Sequence, residues 1–262
     1  MALPPILDNK NPSAPSVFVP AALMREARRQ KNIKEADVPS VCLLDPDGDL
    51  VRHLRRTGRA KPFKGWPCYH TELDVFCLAG REVGIVGRAV GAAFAVLVAE
   101  ELFASGCGLL ISLTSSGQIV ASGSPPYFII IDRALRDEGT SYHYAPPSEY
   151  ASACPQLLAA AVVAVKRNGP RTISGSTWTT DAPFRETSEA IQAAADKGIL
   201  AVEMEAAALY AFAAATGCKV LCLAHVTNTM AQNGADFEKG EDDGTVDALA
   251  VLGSIVGALA EG

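Results

Sequence analysis

Two carboxylates flank a methionine in the run Ala201-Val-Glu-Met-Glu-Ala-Ala-Ala-Leu-Tyr-Ala-Phe-Ala-Ala-Ala-Thr216. An ionised carboxylate only accepts hydrogen bonds, and it has lone pairs enough for two neighbouring hydroxyls. A vicinal diol is such a pair, and a methionine beside it offers a soft apolar wall. One reading of Glu203, Met204 and Glu205 is therefore a sugar clamp. The other is a charged helix start, where carboxylates sit favourably beside unpaired backbone N–H groups. The run reads as a helix over 201–216, since alanine and leucine are the best helix formers. Gly217 supplies its stop. On a helix, positions two apart diverge by about 200°, so at most one of the two carboxylates points into a given pocket.

Other polar groups cluster where strands should end. Asp45-Pro-Asp-Gly-Asp49 is turn chemistry after the apolar run Val41–Leu44. Gly87-Arg-Ala-Val-Gly91 lies between a strand, Val83–Val86, and a helix over 92–105 closed by Gly106. Strand, glycine loop, helix is a layout that lets backbone N–H groups face an anion. Thr114-Ser-Ser-Gly117 follows the buried run Leu109–Leu113, and by itself reads as a polar loop. Arg52, Arg55, Arg56 and Arg59 have helical spacing and line one face, with Lys61 and Lys64 beyond. That face is solvated surface, a displaced anion site or a subunit contact. Trp178 and Arg185, with Asp181 nearby, lie in the polar segment 177–186. A Trp face stacks on a planar base and an Arg donates to carbonyls, although a Trp in such a place is also core material. Thr227-Asn-Thr229 follows the apolar strand 219–226, at the end where open α/β sheets place ligands.

The string Val202-Glu-Met-Glu-Ala-Ala-Ala-Leu209 resembles the signature of the nucleoside phosphorylase superfamily, of the purine nucleoside phosphorylase and uridine phosphorylase type. Arg136–Pro147 and Thr177–Glu186 resemble a uridine-phosphorylase-like subgroup. The resemblance implies that Glu205 binds ribose hydroxyls, Met204 lies against the sugar and Glu203 is a neighbouring site residue. It implies phosphate contacts from Ser115, Ser116 and Arg88, and base contacts from Trp178, Asp181 and Arg185. Arg185 would also stabilise negative charge on the departing base. Asn228 stands where purine enzymes carry a proton-donating Asp, which favours a pyrimidine leaving group. Two departures touch the phosphate site. Leu44 and Gly48 replace the Gly and Arg of the family's Gly-Asp-Pro-x-Arg loop. Ser112 and Thr114 replace the Arg and first Gly of its Arg-x-Gly-Thr-Thr/Cys-Gly-x-Ile segment.

The implied function is reversible phosphorolysis of a uridine-like nucleoside, giving free base and ribose 1-phosphate. Inorganic phosphate is the co-substrate and no cofactor is needed. The alternatives are hydrolysis, for which Glu203, Glu72 and His70 are the candidate bases, and a nucleoside-binding relative without turnover. The family also implies a homo-oligomer, hexamer or dimer.

The remaining elements fit an α/β protein. Helices are expected over 21–37, 155–167 and 245–260, two strands within 69–86, and strands at 127–131 and 172–176. The resemblance makes this a three-layer α/β/α fold with a mixed, partly barrel-like central sheet. Residues 1–20 read as an extended N-terminal arm and 21–262 as a single domain. Residues 231–244 read as an acidic, glycine-containing loop, a candidate flap. A net charge of −6 argues against nucleic-acid binding. No apolar run is long enough to span a membrane and no secretory signal is visible, so a cytoplasmic location is expected. The 7 cysteines sit mostly in apolar strings and read as small buried hydrophobes. No Cys/His set completes a metal site.

Overall fold

The computed structural model describes residues 4–165, 169–229 and 238–259. In chain order its elements are α1 (Pro20–Lys31), β1 (Val41–Asp45), α2 (Asp49–Arg56), β2 (Lys61–Pro62), β3 (Asp74–Leu78), β4 (Arg81–Gly87) and α3 (Ala92–Phe103). Then come β5 (Leu109–Gln118), β6 (Tyr127–Asp137), β7 (Tyr150–Ser152), α4 (Pro155–Val165), β8 (Thr172–Thr180) and α5 (Ser188–Asp196). The chain closes with β9 (Ala201–Glu203), α6 (Ala206–Thr216), β10 (Val220–Thr229) and α7 (Thr245–Leu259).

The strands form one mixed sheet in the order β10-β6-β8-β9-β5-β1-β4-β3-β2, with β7 off this path and paired to β6, and β10 also pairs with β5. That extra pairing closes five strands into a barrel-like ring, from which β1, β4, β3 and β2 extend as an open wing. β1, β5 and β10 run parallel side by side. Their near-continuous apolar sequences are what burial on both faces demands.

Successive side chains of a strand point to opposite faces. Leu44, Leu110, Cys222 and Ala224 thus pack one way, onto α3 and α6. Leu43, Ile111, Leu221 and Leu223 pack the other way, onto α2, α4 and α7. The result is the expected three-layer α/β/α arrangement. Tyr210 fixes α6 to the sheet: its hydroxyl donates to the Ile131 carbonyl at 2.6 Å and accepts the Cys222 N–H at 3.0 Å.

Several strands run further than the apolar runs suggest. β5 continues through Thr114–Gly117, the stretch that reads as a loop, because β10 pairs along it and β9 takes up its end. β8 continues through Thr180 beside β6, and β10 through Thr229 beside β5. The expected helix over 201–216 is split. Residues 201–203 are drawn into the ladder between β5 and β8, and the helix starts at Ala206. α1 ends at Lys31, short of the expected 37, because Asn32 takes a left-handed conformation at φ 52°. Of the expected loop 231–244, residues 231–237 lie outside the described residues, as do the last positions of the expected helices, 166–167 and 260. In the described part, Lys239 bonds Asp49 at 2.6 Å and Asp242 and Asp243 bond Arg56 and Arg52, which ties this segment to α2.

Candidate active site

The split at residues 204–205 gives the two carboxylates separate jobs. Glu203 ends β9 and is buried beneath the start of α6. One of its oxygens accepts the Thr177 and Thr179 hydroxyls at 3.1 and 2.5 Å. The other accepts the backbone N–H groups of Glu205 and Ala206, both at 2.7 Å. Thr179 in turn accepts the Ala207 N–H at 2.9 Å. The first donors of α6, which no helical carbonyl can reach, are therefore satisfied by side chains. Burial raises the Glu203 pKa, while all four donors favour its anion.

Glu205 occupies the N-cap position of α6 and is 1 % exposed. Its Oε1 accepts the N–H of Gly91, the N-cap of α3, at 2.7 Å. The first N–H of the α3 start thus reaches the side chain of the α6 N-cap residue and favours negative charge there. Oε2 is buried and has no hydrogen-bond partner among the described residues. Burial and the neighbouring charge of Glu203 push the Glu205 pKa up to about 8, against the pull of Gly91 and of the nearby Thr114 hydroxyl, whose bond in this structure goes to the Ser115 carbonyl at 3.4 Å and not to Oε2. An orphaned, buried carboxylate oxygen is expensive, and such a group points to a ligand that completes it. The hydroxyls of Ser112 and Ser116 are likewise buried without partners. They share with Thr114 the face of β5 that meets α3 and α6, by strand alternation from Leu110.

The turn after β1 closes the other side. Asp45 is buried, accepts the Val51 N–H at 2.9 Å, and is raised by burial to about 7. Gly48 has φ +77°, and a Cβ there would meet Arg88 Cγ at 2.9 Å. The methylenes of Arg88, itself at φ 68°, fill the space an arginine at 48 would need. The arginines of α2 are spoken for: Arg52 by Asp49 and Asp243, Arg55 by Glu72 and Asp74, Arg56 by Asp242. Arg88 has no ion-pair partner among the described residues, and it lines a cleft of about 490 Å³ with Gly48, Arg52, His70 and Phe94. This cleft adjoins the Glu205 carboxyl through the first turn of α3, which gives Gly91 to one and Phe94 to the other.

Asp47 is a group that sequence reasoning missed. Its two carboxylate oxygens accept the N–H and the hydroxyl of Ser115, each at 2.7 Å. Its charge also helps raise Glu205. The signal was present as an acidic residue at the variable position of the Asp-Pro-x turn. Gly91 and Thr114 belong to the site as well. The glycine loop was legible, but its bond to Glu205, 114 positions away, was not.

Other expected site residues are spread more widely. Met204 is half-buried between the two carboxylates. Ser116 points to the face of β5 opposite Ser115, because the segment is strand and not loop. Trp178 alternates with Thr177 and Thr179 on β8, so it faces away from Glu203. It is 5 % exposed, packs with Ala194, Ile199 and Val202, and its indole N–H bonds Asp137 at 3.0 Å. Little of its face is left for a base. Asp181 is exposed and accepts the Gly139 N–H at 2.8 Å, and Arg185 is exposed in a short 3-10 turn, Pro183–Arg185. Asn228 lies at the end of β10, its amide oxygen accepting the Thr227 hydroxyl at 3.3 Å. Of the candidate hydrolytic bases, Glu203 is fully engaged as above and Glu72 pairs with Arg55 at 2.7 Å. Among the described residues no group of three or more His, Cys, Asp or Glu side chains could hold a metal ion, and no helix is long and apolar enough to cross a membrane.

Comparison with known proteins points one way. The chain is 30 % identical over 161 residues to a DeoD-type purine nucleoside phosphorylase of Roseobacter denitrificans, 57 % of this chain and 64 % of that protein. It is 26 % identical over 162 residues to a guanosine phosphorylase of Halorubrum lacusprofundi, covering 61 % and 67 %. The match to the first spans less than two thirds of that relative's length. The crystal structure of uridine phosphorylase from Vibrio fischeri superposes with a TM-score of 0.73 at 19 % identity, over 89 % of this chain and 99 % of that one, a likeness of fold. Residues 41–256 match the family model of the phosphorylase superfamily, and the chain belongs to that superfamily.

Proposed function

We propose that this chain cleaves the N-glycosidic bond of a nucleoside by phosphorolysis, giving a free base and ribose 1-phosphate. The observation that carries the reading is Glu205: a buried carboxyl whose Oε1 is held by Gly91 while Oε2 has no partner among the described residues. Two vicinal hydroxyls of a ribose donate to it once it is ionised, with Met204 against the sugar. Phosphate takes the N–H and hydroxyl of Ser115 and the charge of Arg88. As the C1′–N bond breaks, its electron pair leaves with the base and positive charge grows on the ribose. A phosphate oxygen then forms the new bond at C1′. The protein supplies orientation and electrostatics.

For the base we favour a uridine-like pyrimidine, because Asn228 has no proton to give a purine at neutral pH. Arg185, on the loop after β8, and the Asn228 amide are the groups that stabilise the departing base. The proposal extends to a cytoplasmic homo-oligomer, dimer or hexamer. The exposed Val17, Phe18 and Phe184 are apolar surface that an assembly would use, and sedimentation measures its size.

The test is a panel of pyrimidine and purine nucleosides incubated with and without phosphate, with the sugar product identified. Ribose 1-phosphate formed only with phosphate is expected. Free ribose regardless of phosphate would replace the proposal with hydrolysis, the reading favoured by Gly48 and Ser112 standing where arginines are expected. Stabilisation by a nucleoside without product would reduce the protein to a binder.

A further inference from the structure

The donors that phosphate needs are already in use. Ser115 offers a backbone N–H and a hydroxyl, and each is bonded by a different oxygen of the Asp47 carboxylate at 2.7 Å. Two anionic oxygens on two adjacent donors is the arrangement a phosphate group would adopt. The carboxylate is held by little else. Among the described residues Asp47 has no salt-bridge partner, and its side chain is exposed beside Gly48, whose backbone adopts φ +77°. Asp45, by contrast, is buried and bonded within the turn. Asp47 is thus a tethered anion on a turn, placed on a pair of donors that face solvent.

We propose that Asp47 is a resident occupant of the phosphate subsite, and that phosphate binds this chain by displacing the Asp47 carboxylate from Ser115. The inference rests on the reading of Ser115 as part of that subsite. Two anions cannot share the same two donors, so the ring of exchange is simple: Asp47 swings into water, and phosphate oxygens take the N–H and hydroxyl. Lys239, which lines the same pocket as Asp47 and Ser115, is already paired with Asp49 at 2.6 Å. Arg88 is a second cation at this turn. Its methylenes pack on Gly48, one residue from Asp47, and its guanidinium has no ion-pair partner among the described residues. The effect is a raised phosphate requirement: turnover waits on a phosphate concentration high enough to outcompete a carboxylate that never leaves the molecule. A tethered competitor acts like a fixed local concentration of inhibitor.

The experiment compares the full-length protein with D47N and D47A by calorimetric titration of inorganic phosphate in the absence of nucleoside, and by the phosphate KM of nucleoside cleavage. Both variants are expected to bind phosphate at least about tenfold more tightly, the lower end of what one charge-assisted hydrogen bond is worth. Phosphate KM should fall in step while kcat at saturating phosphate stays within about threefold. If Asp47 only braced the turn, its loss would lower the melting temperature and leave phosphate affinity equal or weaker. That result, or no phosphate binding by any form, overturns the inference. S115A in the D47N background should lose part of the gained affinity. Failure of the functional reading looks different: if D47N binds phosphate more tightly while every form releases only free ribose, phosphorolysis falls and the displaced-carboxylate inference stands.

Discussion

Glu205→Gln separates the cost of the site from its use. The glutamate has an ordinary pKa of about 4.5, and in the folded protein burial and Glu203 raise it to about 8. A folded value above the unfolded one means the folded state holds a proton that the unfolded state releases. Stability from this group is therefore complete below about pH 4.5 and is lost as pH rises through about 8. At about 1.36 kcal/mol per pKa unit, the gap amounts to about 5 kcal/mol. Glutamine has the shape of the protonated acid and no proton to lose. Urea unfolding of the two proteins at pH 5, 7 and 9 should show nearly equal stability at pH 5 and a more stable variant at pH 9, by up to about 5 kcal/mol. Taking the difference between variant and wild type cancels the other carboxyl groups that burial raises, such as Glu100 and Glu101. The same substitution should cost nucleoside affinity about 1.5–3 kcal/mol per lost charge-assisted bond. Wild-type binding at pH 7 should release a proton, read as a dependence of binding heat on buffer ionisation enthalpy, and the variant should release none. A stability difference that stays flat from pH 5 to 9, or nucleoside binding without proton release, would refute this account of Glu205.

Glu203→Ala removes the acceptor of four hydrogen bonds and strands the N–H groups of Glu205 and Ala206. It should cost about 3 kcal/mol or more by denaturation, with any loss of activity following the loss of fold. Gly48→Arg, which writes the family's loop arginine back, should not strengthen phosphate binding. Its φ of +77° strains any side chain by about 1–2 kcal/mol, and Arg88 Cγ stands 2.9 Å from the new Cβ, so only pairing it with Arg88→Ala should make room. Trp178→Ala should cost about 3–5 kcal/mol of stability while leaving the nucleoside KM of the remaining folded protein unchanged. A KM rise of about tenfold with stability intact would return Trp178 to the base site.

Much of this arrangement was legible in the sequence, and the rest was hidden for identifiable reasons. Val41–Leu44, Leu109–Leu113 and 219–226 read as buried strands because their apolar runs are continuous, and they are β1, β5 and β10. What apolar patterning cannot report is how far a strand continues once its side chains turn polar. Thr114–Gly117 and Thr177–Thr180 are strand only because distant partners, β9 and β10 for one and β6 for the other, supply their backbone bonds. That error set the orientation of every hydroxyl in those segments. A loop allows Ser115 and Ser116 to converge on one ligand, whereas a strand sends them to opposite faces. Trp178 was misplaced by the same step. Asp47 escaped for a different reason: its partner lies 68 positions away, and nothing local marks a surface aspartate as bonded.

The division of labour between Glu203 and Glu205 follows from one break in the helix. On a continuous helix both would sit in the first turn, each capped by the same dipole and neither distinct. The β9 ladder pulls Glu203 under the helix start, where threonines and backbone N–H groups use up its acceptor capacity. Holding its negative charge there makes a second charge nearby costly, and this is one of the forces that raise Glu205. On the proposed function, Glu203 thereby stores, in its neighbour, free energy that a pair of sugar hydroxyls would recover. If that is the design, Glu203→Gln should lower the Glu205 pKa below about 8 and move the pH dependence of nucleoside binding downward with it. A pH profile of nucleoside Kd that stays in place in Glu203→Gln would show that burial alone sets Glu205, and that Glu203 serves only to cap the helix.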